Sequence, residues 1–94
     1  MTVGPGSRPR LAPRARLRLD RQTGKTVLLY PERGLVLSDV GQAVLELCGA
    51  ERTVDDIVTV LAERYVSDAT VVRADVLTFL QQLADRGLLE EAAL

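Results

Sequence analysis

The chain has no histidine and no tryptophan, one cysteine, one methionine and three aromatic residues, Tyr30, Tyr65 and Phe79. Each shortage excludes something. With no imidazole and a single thiol there is no zinc set, which takes about four N, S or O ligands at close spacing. The same shortage removes the Ser-His and Cys-His pairs that most often activate a nucleophile. Neither glycine motif that cradles phosphates occurs. The lone Cys48 rules out an internal disulfide framework and suits a reducing compartment. Apolar runs stop at about four residues, as in 27–30, whereas a membrane-spanning helix needs roughly 20. The N-terminus lacks the apolar centre of a secretory signal. These absences point to a cytoplasmic protein that is not an enzyme and needs no metal.

What is present is aliphatic. Ninety-four residues, 47% of them apolar, suffice for one small core built from Leu, Val and Ala. Charge is unevenly placed. Up to Lys25 there are seven cations against Asp20 alone, and from Thr26 onward five cations against twelve acids. Such asymmetry marks either a segment that touches something acidic or an exposed strand kept soluble by arginine. Cys48, in "LELCG", reads as a small buried hydrophobe rather than a reactive thiol. Asp55 and Asp56 read as helix-capping acids rather than a catalytic pair.

Periodicity organises the rest. Residues 1–14 hold three of the four prolines and two glycines, which predicts a flexible N-terminal arm ordered only from about Leu11. "ARLRLDRQ" (15–22) alternates, with Leu17 and Leu19 on one face and Arg16, Arg18 and Asp20 on the other, the pattern of a strand with one wet face. "TGK" turns the chain, "TVLLYP" (26–31) forms a second strand that Pro31 ends, and "LVLS" (35–38) forms a third. From Asp39 the period lengthens. Val40, Ala43, Val44 and Leu47 make one helix face, with Asp39 and Gln42 spaced as a capping box and Gly49 as the stop. Thr53 and Asp56 open a second helix whose stripe is Ile57, Val58, Leu61 and Tyr65. A third runs over 70–86, with Val72, Val76, Phe79, Leu80 and Leu83 on its inner face and Gly87 closing it. Leu88 or Leu89 packs back on the core, and 91–94 is expected to fray.

Three strands followed by three helices predict an α+β domain: a three-stranded antiparallel N-terminal sheet and three helices in a winged helix-turn-helix-like outline, over 15–90. That outline invites a DNA-binding reading. Yet the second helix has three acids and one arginine, and the third sets Arg73 and Arg86 against Asp75 and Asp85, so neither has the cationic face that phosphate neutralisation requires. A nucleic-acid binder would have to use the arm and first strand.

Several stretches together resemble one family. Arg16, Leu17 and Asp20 in the first strand, "LLYPE" at 28–32, the "LVLS" strand, "LELC" and the closing "FLQQLADRGLL" are similar to the PqqD family, small chaperones of pyrroloquinoline quinone biosynthesis. The resemblance covers roughly residues 9–90. The family reads Cys-Asp-Gly after the first helix, where this chain reads Cys48-Gly49-Ala50. The resemblance implies a peptide chaperone without a cofactor of its own. It would bind the leader of the ribosomally made PQQ precursor peptide and present it to a radical S-adenosylmethionine (SAM) enzyme, which cross-links a glutamate and a tyrosine of that peptide. It also implies that the peptide adds as a strand to the third strand, over a groove closed by the third helix.

Physically, the third strand of a meander has one unpaired side, and "LVLS" carries neither Pro nor Lys to block it. The expected peptide site is then the ladder of Leu35, Val36, Leu37 and Ser38, with Val72, Val76 and Phe79 lining the groove and Arg73 and Asp75 flanking it. The alternatives are that the N-terminal arm or a second copy covers this edge, the latter giving a homodimer. The rival functions are a winged DNA-binding regulator and an adaptor that binds only the enzyme.

Overall fold

Alternation near the start of the chain yields a meander and 3.6-residue periodicity from Asp39 yields the helices; among the described residues there are five strands and three helices. The computed structural model describes residues 1–30, 33–49 and 51–92. The elements are β1 (Pro9–Leu11), β2 (Arg16–Leu19), β3 (Thr26–Tyr30), β4 (Arg33–Val36), α1 (Asp39–Leu47), α2 (Val54–Arg64), α3 (Ala69–Asp85) and β5 (Leu89–Glu91). The architecture is α+β, but the strands do not form one sheet. β2, β3 and β4 make an antiparallel meander, while β1 pairs antiparallel with β5 in a separate two-stranded sheet. The expectation of a single N-terminal sheet of three strands is corrected in this respect.

The second sheet comes from the segment expected to be a flexible arm. The first amides of α2 need acceptors, because a helix leaves its leading N–H groups unpaired. Val54 N–H donates to the Ser7 carbonyl at 2.9 Å and Asp55 N–H to the Pro5 carbonyl at 3.0 Å. Gly49 N–H donates to the Pro9 carbonyl, Ala12 N–H to the Leu88 carbonyl and Ala92 N–H to the Arg8 carbonyl. Proline has no N–H to satisfy but keeps its carbonyl, so this proline-rich stretch is well suited to accept. Val3 and Pro9 are buried as a result. Leu88 and Leu89 do return to the core, at 6% and 4% exposure. Glu91 and Ala92, expected in the frayed tail, are held by β1 and the Arg8 carbonyl; positions 93–94 lie outside the described residues.

The core joins Leu28 from the meander, Ala43, Val44 and Leu45 of α1, Val54, Ile57, Val58 and Leu61 of α2, and Val76, Leu80 and Leu83 of α3. Helix starts follow capping chemistry. Thr53 and Asp56 form the expected reciprocal box, with Thr53 N–H donating to the Asp56 carboxylate (2.9 Å) and Asp56 N–H to the Thr53 hydroxyl (3.1 Å). The expected Asp39–Gln42 box is replaced by Ser38, whose hydroxyl accepts from Gly41 N–H at 3.1 Å, and Gln42 instead reaches Glu46. Gly87, at φ +74°, closes α3, where Leu88 N–H donates back to the Leu83 carbonyl. The Cys48 thiol donates to the Val44 carbonyl, and burial pushes its pKa up to about 12, so it stays protonated. Among the described residues, no helix is long and apolar enough to cross a membrane.

Candidate functional site

The direction of each β4 amide follows from one hydrogen bond and the strand register. Leu37 N–H donates to the Thr26 carbonyl at 2.9 Å, and the register pairs Leu28 with Leu35 and Tyr30 with Arg33. In an antiparallel ladder, successive residues direct their backbone groups to opposite sides. Leu37, Leu35 and Arg33 therefore face β3, and Val36 and Gly34 face outward. β4 is an edge strand, so the outward N–H and C=O groups of Gly34 and Val36 are open to a further strand. The arm does not cover this edge, because it is paired with β5 on the other sheet.

The side chains divide along the same alternation. Leu35 lies opposite the fully buried Leu28 and packs against the core, and Leu37 is buried. Val36 lies on the other face and is 59% exposed. The expected ladder of 35–38 is thus shifted. The strand begins at Arg33 and ends at Val36, while Ser38 caps α1. Pro31 and Glu32, the expected strand end and turn, lie outside the described residues.

Two residues past Val36 an apolar groove opens between the start of α1, the end of α2 and α3. It has a volume of about 300 Å³. Ser38, Val72, Asp75, Val76 and Phe79, all singled out from the sequence, line it together. Val76 is buried at its base, whereas Val72 and Phe79 are half-buried in its wall. Arg73 is not part of the lining; its guanidinium pairs with the Asp55 carboxylate at 3.2 Å.

Sequence reasoning missed Val40, Tyr65 and Val71, which also line the groove and are 48%, 43% and 59% exposed. The sequence spacing puts Val40 on the α1 face with Ala43 and Val44, and Tyr65 on the buried stripe of α2. Tyr65 is the C-cap of α2 rather than an interior position, and Val40 sits in the first turn of α1, beyond the packed stretch. The usable signal was three apolar residues at helix ends rather than at helix centres. Gly41 shapes the floor: a Cβ there would stand 3.3 Å from Phe79 Cζ and 3.3 Å from Ser38 Oγ. The site combines unpaired backbone groups, exposed apolar side chains and one exposed carboxylate, Asp75. Among the described residues, no hydrogen-bonded nucleophile–base pair lines it.

The chain is similar to several known proteins. A family model described as "Coenzyme PQQ synthesis protein D (PqqD)" matches residues 25–89. A "PqqA binding protein" of Rhodopseudomonas palustris (strain BisB5) is 41% identical over 92 residues, spanning 98% of this chain and 90% of that protein. The solution NMR structure of the PqqD truncation of Methylobacterium extorquens PqqCD superposes with a TM-score of 0.77 at 41% identity, covering 88% of each chain. It is described as a functional, stand-alone recognition element for ribosomally synthesized and post-translationally modified peptides (RiPPs). TbiB1, solved in complex with the TbiA(beta) leader peptide, has the same fold at 24% identity, with a TM-score of 0.75 over 89% of this chain and 98% of that one.

Proposed function

Because the chain belongs to the PqqD family, and because its free β4 edge runs into an apolar groove, we propose that it is the peptide chaperone of pyrroloquinoline quinone biosynthesis. It binds the PQQ precursor peptide by strand addition and presents it to a radical SAM enzyme in the cytoplasm, with no catalysis of its own. The observation that carries this reading is the outward direction of Gly34 and Val36 on an uncovered edge.

The peptide lies alongside β4 and exchanges backbone hydrogen bonds with Gly34 and Val36. Two ladder residues, each with one donor and one acceptor, set the register. Alternate peptide side chains then enter the groove against Val72, Val76 and Phe79 at its walls and Val40, Tyr65 and Val71 at its rim. Leu35 and Leu37 contribute by holding the edge in place from beneath, and Ser38 by ending the strand and capping α1. Asp75, the one groove acid among the described residues, orients a basic peptide residue. Relatives named as PqqA binding proteins and a RiPP recognition element support the choice of ligand.

A calorimetric titration with the synthetic precursor peptide, and with duplex DNA as control, tests the reading. Saturable one-to-one binding of the peptide without DNA heat is expected. Absence of peptide binding, alone and with the enzyme present, would overturn it. The winged-helix regulator is disfavoured by the acids of α2 and by the engagement of Arg73 with Asp55.

A further inference from the structure

Among the described residues, no element covers the outer face of the meander, away from the helices. Cross-strand partners share a face, so the pairs Arg16 with Leu29 and Arg18 with Val27, and Val27 with Val36, place Arg16, Arg18, Val27, Leu29 and Val36 together on it. Gly34 lies there too. A Cβ at Gly34 would meet Val27 Cγ1 at 3.1 Å and Leu29 Cδ2 at 3.4 Å, so the glycine lets an apolar strip close over the middle of the sheet. Arg14 reaches this strip beside Leu29 and Tyr30 at one end. Arg21 reaches it beside Val27 and Leu29 at the other. The face is an apolar strip flanked by four arginines, with Asp20 at the Arg21 end, where its carboxylate accepts from Gln22 N–H. Among the described residues, none of the four is in an ion pair, and the two pairs present, Arg10 with Glu90 and Arg73 with Asp55, lie elsewhere.

We propose that this face docks an acidic, partly apolar surface of the enzyme that modifies the peptide, and that the bound peptide forms part of the docked surface. The second half rests on the strand-addition reading above. A strand added at β4 makes the sheet four-stranded. Half of its side chains enter the groove, and the other half continue the outer face beside Val36. An enzyme seated across Val27, Leu29 and Val36 thus touches this chain and the outward residues of its substrate at once. Unpaired guanidiniums suit carboxylates, which they bind through two parallel hydrogen bonds. The arginines steer an acidic partner in, and the apolar strip supplies the dry centre.

The test compares wild type with R16E/R18E, and separately with R14E/R21E, all exposed positions. The radical SAM enzyme, the synthetic precursor peptide and duplex DNA serve as probes, and circular dichroism verifies folding. Either double variant is expected to lose at least tenfold in enzyme affinity, with a flatter salt dependence and with peptide affinity within twofold of wild type. Bound peptide is expected to raise enzyme affinity for wild type. Unchanged enzyme affinity in both folded variants would overturn the proposal. So would loss of duplex binding with enzyme binding intact, which would assign the face to nucleic acid. A wild-type chain that binds enzyme but not peptide would overturn strand addition and the composite surface, while the variants still decide the docking face.

Discussion

The meander has two edges, and they differ in what stands beside them. On β2, Asp20 N–H donates to the Lys25 carbonyl, so Asp20, Arg18 and Arg16 face β3 while Leu17 and Leu19 direct their backbone groups outward. On β4 the outward residues are Gly34 and Val36. Both edges therefore offer two unpaired residues. The β2 edge is flanked by the exposed guanidiniums of Arg16 and Arg18, a common protection against unwanted pairing. The β4 edge leads into a groove walled by α1, α2 and α3. Open backbone groups accept any strand. An adjoining apolar groove, with Asp75 as its one acid, selects among strands. On the proposed reading, specificity resides in the groove, and the edge supplies register.

The comparison breaks most sharply on proline. Val36→Pro removes an outward donor from the β4 edge and projects its ring toward the added strand. The folded variant is expected to lose at least tenfold in peptide affinity, about 1.4 kcal/mol. Leu19→Pro makes the same change on the β2 edge and is expected to stay within twofold of wild type. Titration of the two variants side by side reads the difference directly, and equal losses would erase it.

A smaller loss follows from the groove rim. Val71 is exposed, so Val71→Asp leaves the core untouched while placing a charge where the peptide buries apolar surface. Affinity is expected to fall by about fivefold, roughly 1 kcal/mol, and thermal stability to stay as it was. If stability falls instead, Val71 is a packing residue.

Thr53 serves as the control that touches neither edge. Thr53→Ala breaks the α2 capping box and is expected to cost about 1 kcal/mol of stability, read by urea denaturation, with peptide affinity unchanged. The same box has a pH signature. Hydrogen bonds from the Thr53 backbone and then its side chain hold the Asp56 carboxyl below its ordinary 3.8. A depressed folded-state value means that its stabilisation is complete above the unfolded value and fades as pH falls through 3.8 toward the folded one. Asp56→Asn is expected to flatten that part of the acid-unfolding curve.

Much of this was legible from periodicity alone. The change from period two to period 3.6 near Asp39 located the sheet and the helices, and the Thr53–Asp56 spacing located a real cap. The edge itself was legible because three strands in a meander must leave the third half-paired. The shift of β4 was not. Arg33 and Gly34 look like turn residues, and the sequence does not reveal that Tyr30 pairs with Arg33 or that Ser38 is taken by the α1 amides. The ordering of residues 3–12 is not legible, because proline and glycine signal a break in local structure. Nothing local announces that distant helix amides need the carbonyls of Pro5 and Ser7. Spacing alone points Tyr65 inward, but spacing loses its meaning where a helix ends.

The most direct measurement is hydrogen exchange at single amides, with and without the precursor peptide. Strand addition at β4 predicts that the Gly34 and Val36 amides, open in the free protein, become protected on binding, while those of Leu17 and Leu19 continue to exchange. Protection at Leu17 and Leu19, or saturable binding with no change at Gly34 and Val36, would contradict it.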